Sequence, residues 1–80
     1  MNLEKLQTGQ QAVIKNISGN GNVKKRLLLL GFSPGKIVTM IKSAPLKDPL
    51  EVSLEHGHLS IRRQEAALIL VDVITGESDE

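Results

Sequence analysis

The 80-residue sequence has no cysteine, no tryptophan and no tyrosine, and a single phenylalanine, Phe32. Without cysteine there are no disulfides and no thiolate metal ligands, and a reducing compartment is the natural setting. With one aromatic ring, successive bases have nothing to stack on, which excludes a platform for single-stranded nucleic acid. A charge imbalance is also missing. Ten Lys+Arg stand against nine Asp+Glu, for a net charge of +1. That balance gives no bulk attraction to nucleic acid or anionic lipid. No apolar run approaches the roughly 18–20 residues of a membrane span. The start, Met1-Asn2-Leu3-Glu4-Lys5-Leu6, lacks the charged-then-apolar layout of a signal peptide. The expectation is a cytoplasmic protein with no nucleic-acid partner and no direct membrane insertion. One small domain is expected over residues 1–76, with a short acidic tail at 77–80. A chain of this size buries only about 60–65% of its unfolded surface, so every apolar side chain counts.

What is present reads as five short strands and two helical pieces. Gln11 to Ile17 forms a first strand after the turn Gln7-Thr8-Gly9-Gln10. Ser18-Gly19-Asn20-Gly21-Asn22 is a polar loop, and Asn20 or Asn22 can cap a following helix. Val23-Lys24-Lys25-Arg26-Leu27-Leu28-Leu29-Leu30 is that helix, and Gly31 ends it in a left-handed conformation. Ser33-Pro34-Gly35-Lys36 is a β-turn with Pro34 set for the first corner and Gly35 for a positive φ at the second. A second strand, Ile37 to Lys42, leads into Ala44-Pro45-Leu46-Lys47-Asp48-Pro49-Leu50-Glu51. Proline is scarce, with three in the chain, and Pro45 and Pro49 bracket an acid here. Each fixes its own φ and holds the preceding residue extended, so the connection is stiff, and the Asp48 carboxylate is free to accept from backbone N–H groups.

Leu50, Val52 and Leu54 alternate with Glu51, Ser53 and Glu55, the pattern of a half-buried strand. A two-residue loop at His56-Gly57 would place Leu54 opposite Leu59, Val52 opposite Ile61 and Glu51 opposite Arg62. Arg63 to Leu68 reads as about one helical turn, and Ile69 to Ile74 as a closing strand rich in β-branched residues. These elements predict a mainly β fold: a small five-stranded barrel with one α-helix after the first strand and a short helical turn before the last. Closing such a barrel removes exposed strand edges.

Three blocks carry a family resemblance: Arg26-Leu27-x-x-Leu30-Gly31-x-x-Pro34-Gly35, then Ala44-Pro45-Leu46-x-Asp48-Pro49-Leu50-Glu51, then Ile61-Arg62-x-x-x-Ala66-x-x-Ile69-x-Val71. In this order and spacing the chain resembles the FeoA-like proteins of bacterial ferrous iron transport. The resemblance implies an SH3-like barrel and a small cytosolic accessory role. It also implies a partner, the FeoB-type membrane ferrous iron transporter with its GTPase domain, and no assigned reaction or cofactor. Within it, Gly31, Pro34, Gly35, Pro45, Asp48, Pro49 and Arg62 read as structural motif residues. A similar barrel forms the C-terminal domain of iron-dependent repressors. The alternative reading is therefore a stand-alone regulatory barrel that binds a peptide or a metal.

The chemistry-bearing residues are few. His56 and His58 are the metal candidates, because imidazole binds ferrous iron and zinc. At and just past a hairpin turn their rings need not converge, and a tight site needs three or four supported ligands. Exposed turn histidines are the expectation. Asp48 has no partner carboxylate, histidine or nucleophile nearby in sequence, so a structural role is expected rather than a catalytic one. Gly19-x-Gly21 lacks the spacing and the Lys-Ser/Thr of a phosphate-binding loop. No enzymatic activity and no cofactor are expected. The helix carries the stronger signal. At about 100° per residue, Val23, Leu27 and Leu30 share a core-facing stripe, while Leu28 and Leu29 point to the sides or away. FeoA-like proteins commonly carry a polar or small residue at the position of Leu29. Apolar side chains flanked by Lys24 and Lys25 suit a contact surface with an apolar centre and a polar rim. Lys24, Lys25, Leu28 and Leu29 are the candidate partner-binding residues.

Overall fold

The computed structural model describes residues 1–43, 46, 48–55 and 57–74. Pro45, His56 and the acidic tail at 77–80 lie outside the described residues. The chain begins with a 3-10 turn, Leu3–Lys5, followed by β1 (Gln11–Ile17), α1 (Gly21–Leu29), β2 (Ile37–Lys42), β3 (Leu50–Leu54), β4 (Gly57–Ile61), α2 (Arg63–Ala66) and β5 (Ile69–Val73). The strands form one antiparallel sheet in the order β4-β3-β2-β1-β5. Register shifts between Ile14 and Asn16 on β1, and between Met40 and Lys42 on β2, bend the sheet. The result is the mainly β, five-stranded SH3-like barrel expected from the sequence.

The core follows the period-two pattern of the strands. Ala12 and Ile14, Val38 and Met40, Leu50 and Val52, and Ile69 and Val71 all point inward and are buried. Phe32, the one aromatic, is fully buried between α1 and β2 in sequence. Leu3 and Leu6 are also fully buried, a contribution from the N-terminal segment that its short apolar pattern did not announce. That segment also covers one edge of the sheet: Asn2 bridges Leu70, and the Val71 N–H donates to the Met1 carbonyl at 2.9 Å. No ladder joins β4 to β5 among the described residues, so strand pairing does not complete the barrel.

The β3–β4 hairpin departs from the expected register. Leu50 pairs with Ile61, Glu51 with Ser60, Val52 with Leu59, Ser53 with His58 and Leu54 with Gly57. The expected pairing of Leu54 with Leu59 is thus displaced by two residues, and Gly57 belongs to β4 rather than to the turn. Side chains alternate with a period of two, so a two-residue displacement leaves the same side chains on the same face. The apolar pattern alone therefore does not distinguish the two registers. The observed one sets buried Leu50 against buried Ile61. It also removes the expected Glu51–Arg62 pair, and Arg62 instead becomes the N-cap residue of α2.

The two helices are held at their ends. Gly31, with φ +110°, terminates α1. The Gly31 N–H donates to the Leu28 carbonyl at 3.0 Å and the Phe32 N–H to the Leu27 carbonyl at 3.1 Å. This pair of bonds satisfies the last free carbonyls of the helix, with Leu27 and Phe32 both buried beside it. Asn20 occupies the N-cap of α1, but its side chain makes no capping hydrogen bond, contrary to expectation. At α2 the Glu65 carboxylate accepts from the Arg62 N–H at 3.4 Å. The turn at Ser33-Pro34-Gly35-Lys36 forms as expected, with the Lys36 N–H donating to the Ser33 carbonyl at 3.2 Å and Gly35 at φ +91°.

Candidate partner-binding surface

Asp48 reaches from the β2–β3 connection to α2, where its Oδ1 accepts from the Arg63 N–H at 3.0 Å. Arg63 is the first residue of that helix, so the carboxylate occupies one of the free donors of the helix N-terminus. Asp48 therefore ties the β2–β3 connection to α2. Pro49 follows immediately and feeds buried Leu50 into β3.

Among the described residues, no group of three or more His, Cys, Asp or Glu side chains is placed to hold a metal ion. His58 is exposed on β4, opposite Ser53. The other metal candidate, His56, lies outside the described residues. Arg26 pairs with Glu65, linking α1 to α2, and Arg63 lies 3.5 Å from Glu4. Arg62 forms no ion pair among the described residues.

The leucine run of α1 is sorted by a single anchoring residue. Leu27 is fully buried, whereas Leu29 is 88% exposed, Leu28 39% and Leu30 43%. These values follow from the helical angle. Leu29 lies about 160° around the helix from Leu27, while Leu28 and Leu30 flank the buried line. Val23 and Leu30 were expected in the core, but both lie outside it and are partly open to solvent. The nine-residue helix seats one residue, Leu27, in the core and leaves the others outside it.

Lys24 and Lys25 precede Leu28 and Leu29 by one helical turn, so each lysine neighbours a leucine on the helix surface. Neither lysine forms an ion pair among the described residues. The four candidate partner-binding residues thus lie on one helix, with apolar side chains at its C-terminal end and cations at its N-terminal end. From Leu30 the apolar surface runs into a groove of about 300 Å³ lined by Leu30, Gly31, Leu54 and Leu59. Lys36 and Glu55 sit at this groove and pair at 2.8 Å, which neutralises its edge. The sequence did not announce the groove. Leu30 carries a core-stripe spacing, and Leu54 approaches it only because the hairpin folds toward the end of α1.

The model of the FeoA domain family matches residues 1–73. The chain belongs to the FeoA domain family. An "Fe(2+) transport protein A/Fe(2+) transporter FeoB fusion protein" from Porphyromonas gingivalis is 41% identical over 78 residues, covering 98% of this chain. The FeoA chain spans 9% of that fusion protein's length. A solution structure of the FeoA protein from Chlorobium tepidum matches with a TM-score of 0.85 and 33% identity, covering 98% of this chain and 74% of that one. The crystal structure of Stenotrophomonas maltophilia FeoA complexed with zinc, described as an SH3 domain protein, matches with a TM-score of 0.81 and 30% identity over 90% of this FeoA domain and 89% of that chain. A manganese-dependent transcriptional repressor shares the fold alone, at 13% identity and a TM-score of 0.83.

Proposed function

We propose that this FeoA domain is a cytoplasmic accessory protein of ferrous iron transport that binds the cytosolic part of a FeoB-type transporter. The observation that carries the reading is the Porphyromonas fusion protein, in which a close relative of this whole chain is joined to FeoB in one polypeptide. Covalent linkage maintains a high effective concentration of one module near the other, which is useful when the two act together. The contact surface in this proposal is the outer face of α1, with Leu28 and Leu29 at its centre and Lys24 and Lys25 at its rim.

A small barrel of this kind acts on a GTPase by binding one of its states better than another. Its influence is then bounded by that difference in affinity. Arg62 is the arginine best placed to reach a partner, because Arg26 and Arg63 already face Glu65 and Glu4. An arginine supplied in trans is one established way to accelerate GTP hydrolysis.

Capture of the detergent-solubilised FeoB-type transporter by the tagged protein tests the reading. A charge placed at the centre of an apolar contact is left desolvated in the complex. The Leu28→Glu, Leu29→Glu double variant is therefore expected to lose capture while remaining folded. Undiminished capture by the folded variant would exclude α1 as the contact surface. Failure of the unaltered protein to bind the transporter would overturn the proposed function.

A further inference from the structure

The two edges of the sheet are treated differently. The outer edge of β5 is covered by Met1 and Asn2. The outer edge of β4 carries no backbone hydrogen bond to any other element among the described residues. Nothing in β4 protects it. Its sequence Gly57-His58-Leu59-Ser60-Ile61 has no proline and no lysine, and its pairing with β3 runs through five residue pairs without a bulge. Native sheets usually blunt an edge with one of these devices. Beside the hairpin end of β4 lies the apolar groove of Leu30, Gly31, Leu54 and Leu59.

We infer that the β4 edge, together with this groove, takes an extended segment of the partner protein by strand addition. The inference rests on the proposed association with a FeoB-type transporter and names how the segment is held. A row of unpaired N–H and C=O groups at strand spacing is matched by another extended backbone and by little else. Alternate side chains of the added strand would enter the groove, so apolar residues are required at every second position. The groove lining presents the paired Lys36 and Glu55, and so favours a segment without net charge at its centre. A second copy of this chain is a poor occupant. Its own β4 already directs Ile61 into its core and packs Leu59 against it, leaving no free apolar side chains for the groove.

Amide hydrogen exchange, read by mass spectrometry with fragmentation to single residues, tests this on the protein alone and in complex with the detergent-solubilised transporter. The expected result is slowing of exchange at alternate amides between residues 57 and 61 by about tenfold or more. Leu30→Glu, which puts a charge on the groove wall at a partly exposed position, is expected to weaken transporter binding by about tenfold or more. A complex that forms with β4 exchange unchanged, or with contacts confined to α1, overturns strand addition and leaves the proposed function standing. Absence of any complex overturns both. Slowing of β4 exchange that grows with the protein's own concentration, without transporter, would assign the edge to a second copy and refute the inference.

Discussion

Leu27 and Leu29 lie two positions apart on α1 and should respond in opposite ways to substitution. Leu27 is completely buried. Burial of a leucine contributes about 1.5–3 kcal/mol, and the cavity left by truncation raises the cost of Leu27→Ala to about 2–5 kcal/mol. Leu29 is 88% exposed, so little of its surface leaves water on folding, and Leu29→Ala should cost about 0.3 kcal/mol. Leu29→Glu adds a few tenths at most, because a carboxylate near a helix C-terminus opposes the macrodipole. A domain of this size has about 4–12 kcal/mol of stability in total. Leu27→Ala therefore removes a large share of it, whereas Leu29→Glu removes almost none. Each kcal/mol shifts Tm by about 4–8 °C at this chain length, so Leu27→Ala should lower Tm by about 8–40 °C. Urea and thermal unfolding followed by circular dichroism would measure both. Similar losses for the two leucines, or a cost above about 1 kcal/mol for Leu29→Glu, would show that the outer face of α1 is a packing surface. The contrast matters for function, since the Leu29 variant reports on partner binding only if folding is untouched.

The remaining predictions concern the ties between elements and the histidines. Asp48→Ala removes the acceptor for the Arg63 N–H and should cost about 1 kcal/mol in a urea melt, while Asp48→Asn, which keeps an oxygen acceptor, should cost less. Equal losses for the two would deny the hydrogen bond its role. Gly31→Ala forces a side chain into a positive-φ position, and its Cβ would stand 3.3 Å from Leu54 Cδ1, so a loss of at least about 1 kcal/mol is expected. Stability at the wild-type level would mean that the end of α1 and β3 can both shift. Calorimetric titration with ferrous iron under anaerobic conditions, or with zinc, should give no Kd tighter than about 1 μM, equivalent to about −8 kcal/mol. A tighter site that disappears in the His56→Ala, His58→Ala double variant would establish a metal function for these residues.

The order of the five strands and the two α-helices was determined by the sequence itself, because those elements are encoded locally. Alternation at Leu50, Val52 and Leu54 specified which face of β3 is buried, and Pro34 with Gly35 specified the turn before β2. Three sequence blocks also pointed to the family, and through it to the SH3-like barrel. Features that depend on how elements meet were decided only by the tertiary structure. The hairpin register was one, since displacement by two residues leaves the apolar faces unchanged, and only the packing of Leu50 against Ile61 distinguishes it. The exposure of Val23 and Leu30 was another, because periodicity identifies a stripe but not how much of it reaches the core. The partner of the Asp48 carboxylate lies fifteen residues away, beyond any local pattern. The covered edge of β5 depends on where the N-terminal segment comes to rest, and the outer edge of β4 has no backbone partner among the described residues. Sequence spacing therefore identified Leu28 and Leu29 as candidates from helical angle alone, whereas the groove beside β4 exists only because the end of α1 and the β3–β4 hairpin are brought together in the folded chain.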